Sequence, residues 1–216
     1  MRIIFCLPGR TFSGTFLQSW TQLVNACLSN GINLVLSQRY NSNVYYVRSQ
    51  CLGADVLNGP SQRPFGGKVQ YDYIMWIDSD QVFKPEHFFK LLAHKENIVG
   101  GLYLMEGGKQ YAVVQDWNKE FFKKTGSFKF LEPSDLSPDG KLMEVVYSGF
   151  GFLLTKFGVF ENIKYPWFEP QMTDFGDGIR DFASEDVSFC LKARQVGYKI
   201  YIDPSVIVGH EKMTIY

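Results

Sequence analysis

The sequence predicts an α/β protein in which helices cover both faces of a mostly parallel, mixed sheet. Two patterns carry that expectation. Through the first half of the chain, short apolar runs alternate with segments of helical period, as strand and helix units packed in three layers require. Within that alternation, Tyr73-Ile74-Met75-Trp76-Ile77 is apolar at every position and flanked by acids, the pattern of a strand buried on both faces.

Residues 2–7 form the first apolar run. Phe16, Leu17, Trp20, Leu23, Val24, Cys27 and Leu28 follow at helical spacing, with Gly31 placed to end the helix. Residues 32–36 read as a second strand, and Asn43 is placed to cap a helix carrying Val44, Val47 and Cys51 on one face. After the central apolar run, Pro85 suits a first helical turn before Phe88, Phe89, Leu91 and Leu92, and residues 98–104 return as a strand. Beyond residue 110 the order changes. Residues 111–114 and 144–155 read as strand-like pieces, 165–182 as a Gly- and aromatic-rich loop, 185–196 as a last helix closed by Gly197, and 198–202 as a strand. The second half is expected to add an irregular, antiparallel part to the sheet.

The 216 residues suffice for one sizeable core, and no repeat, low-complexity tract or linker interrupts them, so a single domain over 1–216 is expected. A chain that is 45% hydrophobic and 20% charged folds rather than staying disordered. Its 22 basic residues balance 22 acidic ones with no Lys/Arg block, which argues against nucleic acid as a partner. Only five apolar residues precede Pro8-Gly9, too few for a signal-peptide core or a membrane span. The four cysteines form no CxxC pair and fall in apolar-periodic segments, and no Asn-x-Ser/Thr sequon occurs, so a reducing, cytoplasmic setting is expected, the host cytoplasm for a viral chain.

Ligands of open α/β sheets bind beyond the carboxyl ends of the strands. That rule selects Pro8, Gly9, Arg10 and Thr11, then Ser37 to Arg39, then Asp78-Ser79-Asp80. In an extended chain Asp78 and Asp80 share a face while Ser79 points the other way. Two converging carboxylates repel unless a shared proton or a cation intervenes, and Mn²⁺ or Mg²⁺ suits hard oxygen ligands of this kind. The alternative is a turn in which the aspartates satisfy local backbone groups. Gly9 and Gly14 have P-loop spacing, but Thr15-Phe16 stand where Lys-Ser/Thr is required, so that motif is excluded.

The run from Tyr71 to Asp80, a buried strand followed by an acid pair, resembles the DxD element of GT-A glycosyltransferases, the nucleotide-diphospho-sugar transferase fold. The resemblance covers nearly the whole chain and rests on three motifs in the family's order. It implies that Asp78 and Ser79 face the donor nucleotide, with Asp78 also near the metal, and that Asp80 is the principal metal ligand. Ser148-Gly149-Phe150-Gly151-Phe152 is similar to the family's segment beside the donor sugar, where Gly149 and Gly151 would let the sugar approach the backbone; a β-bulge without a ligand is the alternative. Phe182-Ala183-Ser184-Glu185-Asp186 resembles the acidic pair placed beside the acceptor, with Asp186 or Glu185 as base in an inverting reaction. Ser184 is equally an N-cap, and acids in a first helical turn are stabilised by the macrodipole alone.

The resemblance further implies that His210, after the last strand, joins the metal shell, that Arg10 offers charge to the diphosphate, and that Arg48 lies near the nucleotide, unless it belongs to a solvated helix face. Two departures matter. Gln81 follows Asp80 with no further acid until Glu86, so a second metal is not supported. The chain also stops soon after His210, so a closing lid would be short, supplied by residues 165–182, whose aromatics suit sugar faces, or lost with the rest of a longer polypeptide. The small size and irregular second half resemble glycosyltransferases encoded by chloroviruses. The implied activity is transfer of a hexose or deoxyhexose from a nucleoside-diphosphate sugar, UDP by preference, to a glycan or glycoprotein hydroxyl with Mn²⁺ or Mg²⁺, either stereochemical outcome remaining open. The competing readings are a sugar-1-phosphate nucleotidyltransferase and a noncatalytic carbohydrate-binding protein of the same fold.

Overall fold

The computed structural model describes residues 1–137 and 139–212. In the first half the elements are β1 (Arg2–Pro8), α1 (Gly14–Ser29), β2 (Asn33–Arg39), α2 (Val44–Cys51), β3 (Tyr73–Ile77), β4 (Gln81–Val82), α3 (Pro85–His94) and β5 (Ile98–Leu102). There follow β6 (Val113–Val114), α4 (Lys119–Thr125), β7 (Met143–Val145), β8 (Tyr147–Ser148), β9 (Phe152–Lys156) and α5 (Val159–Asn162). The last are β10 (Gln171–Gly176), β11 (Ile179–Ala183), α6 (Glu185–Gln195), β12 (Ile200–Ile207) and β13 (Gly209–His210).

Seven strands form the main sheet in the order β2-β1-β3-β9-β5-β12-β7. Strands β2, β1, β3, β5 and β12 run one way; β9, wedged between β3 and β5, and β7, at the edge, run the other. The expectation of a three-layer α/β fold with a mostly parallel, mixed sheet holds. Its cause is visible in the alternation of the central strands. Ile3, Phe5 and Leu7 of β1 and Tyr73, Met75 and Ile77 of β3 pack with Phe16, Leu23 and Cys27 of α1 and Phe88 and Leu91 of α3. On the other face Ile4, Cys6, Ile74 and Trp76 pack with Cys51, Phe150 and Val187, Phe189 and Cys190 of α6. Each such fully buried side chain contributes about 1.5–3 kcal/mol relative to exposure. All four cysteines are buried free thiols.

Local chemistry sets the starts of the helices. Ser13 Oγ accepts from Phe16 N at 2.9 Å to open α1, and Asn43 Oδ1 accepts from Tyr45 N at 3.0 Å to open α2.

The second half corrects the sequence reading in four places. The piece read as one strand over 144–155 is three, because the chain steps at Gly149-Phe150-Gly151 from pairing with β6 into the main sheet. The segment read as a loop over 165–182 contains the hairpin β10–β11, turned by Asp177 and Gly178 at φ 54° and 78°, a two-residue turn of the kind that suits strand twist. Its Trp167, Phe168 and Phe175 are buried in the core and cannot stack on a ligand, which leaves Phe182 and Met172 exposed. The strand read as ending at 202 continues to Ile207 through Pro204, at the cost of a register shift between Ile202 and Ile207.

Candidate functional site

The backbone turns sharply at the carboxyl end of β3. Gln81 N donates to the Asp78 carbonyl at 3.1 Å, so Asp78-Ser79-Asp80 forms a turn rather than continued strand. The two carboxylates therefore do not converge as an extended chain would have them; they diverge to two different partners. Gly9 closes the turn from the β1 side: a Cβ there would lie 2.6 Å from Ser79 Cβ, so the β1 loop can approach only with glycine. Pro8, Gly9, Arg10, Tyr40, Asn41, Ser42, Val44, Val47, Arg48, Asp78 and Asp80 line a cleft of about 280 Å³ above this turn. A larger hollow of about 680 Å³ lies at the opposite end of the strands, between Arg2, Arg63, Tyr71 and Phe157, and shares no lining residue with the cleft. We place the site at the smaller cleft, because the carboxyl ends of the parallel strands converge there.

Asp78 meets Arg48. The guanidinium donates to Asp78 Oδ1 at 3.0 Å and Oδ2 at 3.1 Å, and its Nε donates to Glu185 Oε1 at 2.9 Å. Arg48 is 4% exposed and lies over the rings of Trp76 and Phe150 at 5.9 and 5.1 Å. It is thus not on a solvated helix face. Burial works to lower its pKa, but Asp78 and Glu185 outweigh burial and raise it, so Arg48 stays charged. Burial and the neighbouring Asp186 raise the Glu185 carboxyl above its usual range, with Arg48 opposing. Each Asp78 oxygen thus accepts one bond from Arg48, and the side chain, 27% exposed, still lines the cleft.

Asp80 meets the chain's end. The short pair β4–β13 aligns His210 with Gln81, and Glu211 N donates to the Asp80 carbonyl at 2.7 Å. His210 Nδ1 lies 2.6 Å from the Leu104 carbonyl, which can only accept, so Nδ1 carries the hydrogen. His210 Nε2 lies 3.0 Å from Asp80 Oδ2, and Lys212 Nζ reaches the same oxygen at 2.9 Å. Burial would push the Asp80 carboxyl up; Lys212 and His210 outweigh it and hold the carboxyl below its usual range.

An imidazole nitrogen and a carboxylate oxygen facing each other at this distance need a proton or a cation between them. The 3.0 Å separation equals the spacing of two ligands on one hard divalent ion. Ligands at neighbouring octahedral positions about 2.1 Å from Mg²⁺ are about 3.0 Å apart, and the Leu104 carbonyl fixes the tautomer that leaves Nε2 free to bind. Asp80 and His210 are two donors, and among the described residues no group of three or more His, Cys, Asp or Glu side chains gathers to hold a metal.

The remaining residues singled out by the sequence divide into two sets. Pro8, Gly9 and Arg10 line the cleft, and the Arg10 guanidinium lies 5.6 Å from the centre of the Tyr40 ring. Ser37 does not: it is buried and donates to the Cys51 carbonyl at 2.7 Å, tying β2 to the end of α2. A Cβ on Gly149 would lie 2.0 Å from Tyr103 Oη, and one on Gly151 2.6 Å from the same ring, so these glycines make room for Tyr103. Asp186 is engaged at both oxygens: Tyr147 Oη donates to Oδ2 at 2.8 Å, and Ser184 Oγ and Val187 N, the latter at 2.8 Å, donate to Oδ1. Ser184 thus occupies the N-cap position of α6 but bonds Asp186 rather than the helix backbone. Residues missed by the sequence reading are Lys212, Tyr103 and Tyr45, whose hydroxyl donates to the Ala183 carbonyl at 2.8 Å and ties α2 to the hairpin.

No protein-family model matches the sequence. No curated protein sequence matches it either. Among solved structures, A197 from STIV matches with a TM-score of 0.53 at 18% identity, over 100% of this chain and 97% of that one. The structure of GalNAc-T7 with UDP, GalNAc and Mn²⁺ matches with a TM-score of 0.58 at 11% identity. That match covers 96% of this chain and 43% of the GalNAc-T7 chain, so this chain spans less than half of it. At such identities the likeness is one of fold: the chain has the GT-A fold of nucleotide-diphospho-sugar transferases.

Proposed function

We propose that the chain is a metal-dependent glycosyltransferase that moves a hexose or deoxyhexose from a nucleoside-diphosphate sugar, with UDP as the preferred nucleotide, to a glycan or glycoprotein hydroxyl. The observation that carries this reading is the Asp80–His210 pair, set 3.0 Å apart beside the cleft at the carboxyl end of β3 in a GT-A fold. The GalNAc-T7 structure of the same fold holds UDP and Mn²⁺. Asp80 and His210 would hold Mn²⁺ or Mg²⁺, which when bound supplies Lewis-acid stabilisation of the departing diphosphate.

The chain's own residues divide the remaining work. Arg10, exposed at the cleft, binds the diphosphate. Arg48 orients Asp78 toward the nucleotide and Glu185 toward the acceptor side by holding both carboxylates in one plane of hydrogen bonds. Of the two acids expected beside the acceptor, Glu185 is the better base: its pKa is raised, and its hydrogen bond to Arg48 involves one oxygen only, whereas Asp186 is bonded at both.

The test is incubation with a panel of nucleotide sugars with and without Mn²⁺, reading released nucleoside diphosphate and thermal shift. Metal-dependent binding of at least one nucleoside diphosphate and its release from the matching sugar are expected. Indifference to every nucleoside diphosphate would overturn the reading, and pyrophosphate release from a nucleoside triphosphate would replace it with nucleotidyl transfer.

A further inference from the structure

Asp80 Oδ2 carries two nitrogen neighbours, and only one of them, His210 Nε2, is a metal-binding group. The other is the Lys212 ammonium, 2.9 Å away, on a side chain that is 46% exposed. An ammonium on the same oxygen repels a divalent ion and competes with it for that oxygen. Its place is not an accident of a loose tail. The segment before it is bound to β4 through the Gly209↔Val82 and His210↔Gln81 pairs. Gly209 permits that approach, since a Cβ there would lie 3.1 Å from Val82 Cβ. Glu211 adds a backbone bond to the Asp80 carbonyl and a side-chain bond from Ser13 Oγ, the cap of α1. Three successive residues, Gly209, His210 and Glu211, thus deliver Lys212 to Asp80.

We propose that Lys212 is an intramolecular competitor for the cation at Asp80, setting how tightly the site takes a divalent ion in the absence of donor. This rests on the reading of Asp80 and His210 as the metal-holding pair. Exchange is purely ionic: the divalent ion takes Asp80 Oδ2, and Lys212, still protonated, swings into the cleft. There its positive charge adds to that of Arg10 on the wall where a diphosphate would lie. The lysine opposes the ion before the donor arrives and is electrostatically complementary to the donor afterwards. The two ligands are therefore expected to bind cooperatively, each raising the affinity for the other by the same factor.

The experiment measures Mn²⁺ binding to the unliganded protein by electron paramagnetic resonance, for the wild type, Lys212→Met and Asp80→Asn, and repeats it with UDP present. Lys212→Met is expected to bind Mn²⁺ alone about 5- to 10-fold more tightly than the wild type, the scale of one partly exposed charge pair plus the repulsion removed with it. It is also expected to show a smaller enhancement of Mn²⁺ affinity by UDP. Lys212→Arg is expected to resemble the wild type. Equal or weaker Mn²⁺ affinity in Lys212→Met, with wild-type binding that Asp80→Asn abolishes, overturns the competition while leaving the site intact. Binding in none of the proteins, or binding unaffected by Asp80→Asn, overturns the metal site and the competition with it. Unfolding midpoints of the variants, expected to match the wild type because Lys212 is at the surface, confirm that the comparison is between folded proteins.

Discussion

Asp78 and Asp80 stand two residues apart on one turn, yet they belong to opposite kinds of chemistry. Asp78 is drawn inward to a buried guanidinium that bonds both its oxygens and shares a hydrogen bond with Glu185. Asp80, 38% exposed at its side chain against 27% for Asp78, pairs with two nitrogen groups on His210 and Lys212. The first pairs with a buried cation; the second pairs with an imidazole and a partly exposed ammonium. The contrast teaches that two carboxylates spaced two residues apart, both lining one cleft, can be tied to different parts of the chain.

The largest expected effect breaks the closed side. Arg48→Ala leaves the buried Glu185 and the partly buried Asp78 without their partner and should cost about 3–5 kcal/mol in urea-monitored unfolding. Arg48→Met, which restores apolar volume between Trp76 and Phe150, should cost clearly less; equal losses would mean that packing and not charge holds this region. Next comes the contrast itself. Asp80→Asn should weaken Mn²⁺-dependent UDP binding at least about 100-fold while changing stability by less than about 1 kcal/mol. Asp78→Asn should lower stability by about 1–3 kcal/mol through the weakened bidentate bond and retain Mn²⁺ binding. If the two variants behave alike, calorimetry with Mn²⁺ and UDP will show it, and the division between them fails.

A smaller effect tests the glycine step. Gly149→Ala drives a methyl group into Tyr103 Oη and should cost about 1–3 kcal/mol, of which Tyr103→Phe, by removing that oxygen, should restore part in a double-mutant cycle. A full loss unrelieved by Tyr103→Phe would place the strain elsewhere. The smallest concerns a closed pair outside the cleft, Asp203 with His94 Nε2 at 2.8 Å and with Ser205. Burial raises the Asp203 carboxyl, but those bonds outweigh it and hold the pKa below the usual value. A depressed acid contributes fully above its unfolded pKa of about 3.9 and loses that contribution as pH falls through its folded pKa. Asp203→Asn should therefore trail the wild type by about 1 kcal/mol near neutrality, with the gap closing in strong acid; a gap constant with pH would contradict this.

The parts of the fold that the sequence revealed are those whose pattern is local. Strands β1 and β3 and helices α1 and α3 each present enough apolar positions at one period to be read directly. Helix α4 has seven residues and β4 and β13 two each, too short for any period to emerge, yet the last two bring His210 onto Asp80. The hairpin β10–β11 did carry a legible mark, the turn dipeptide Asp177-Gly178, but its flanks QMTDFG and IRDFA lack the alternation that would have read as strands. The resemblance pointed to Arg48, which does line the cleft, but its ion pairs were not legible for a different reason. Its partners lie 30 and 137 residues away, and a charge whose compensation is that distant looks, in sequence, like any solvated arginine.

The place of β9 between β3 and β5 bears on how the protein comes to exist. Both neighbours are made well before it: β3 ends at residue 77, β5 at 102, and the strand that joins them begins at 152. During synthesis, the emerged chain carries two wholly apolar strands whose facing edges have no partner, the geometry that invites pairing with another molecule. Closure waits for distant contacts, which slows folding and lengthens that exposure. A polypeptide released before Phe152 would be a fragment prone to self-association, and the yield of intact protein would respond to chaperones that shield apolar strands on the ribosome.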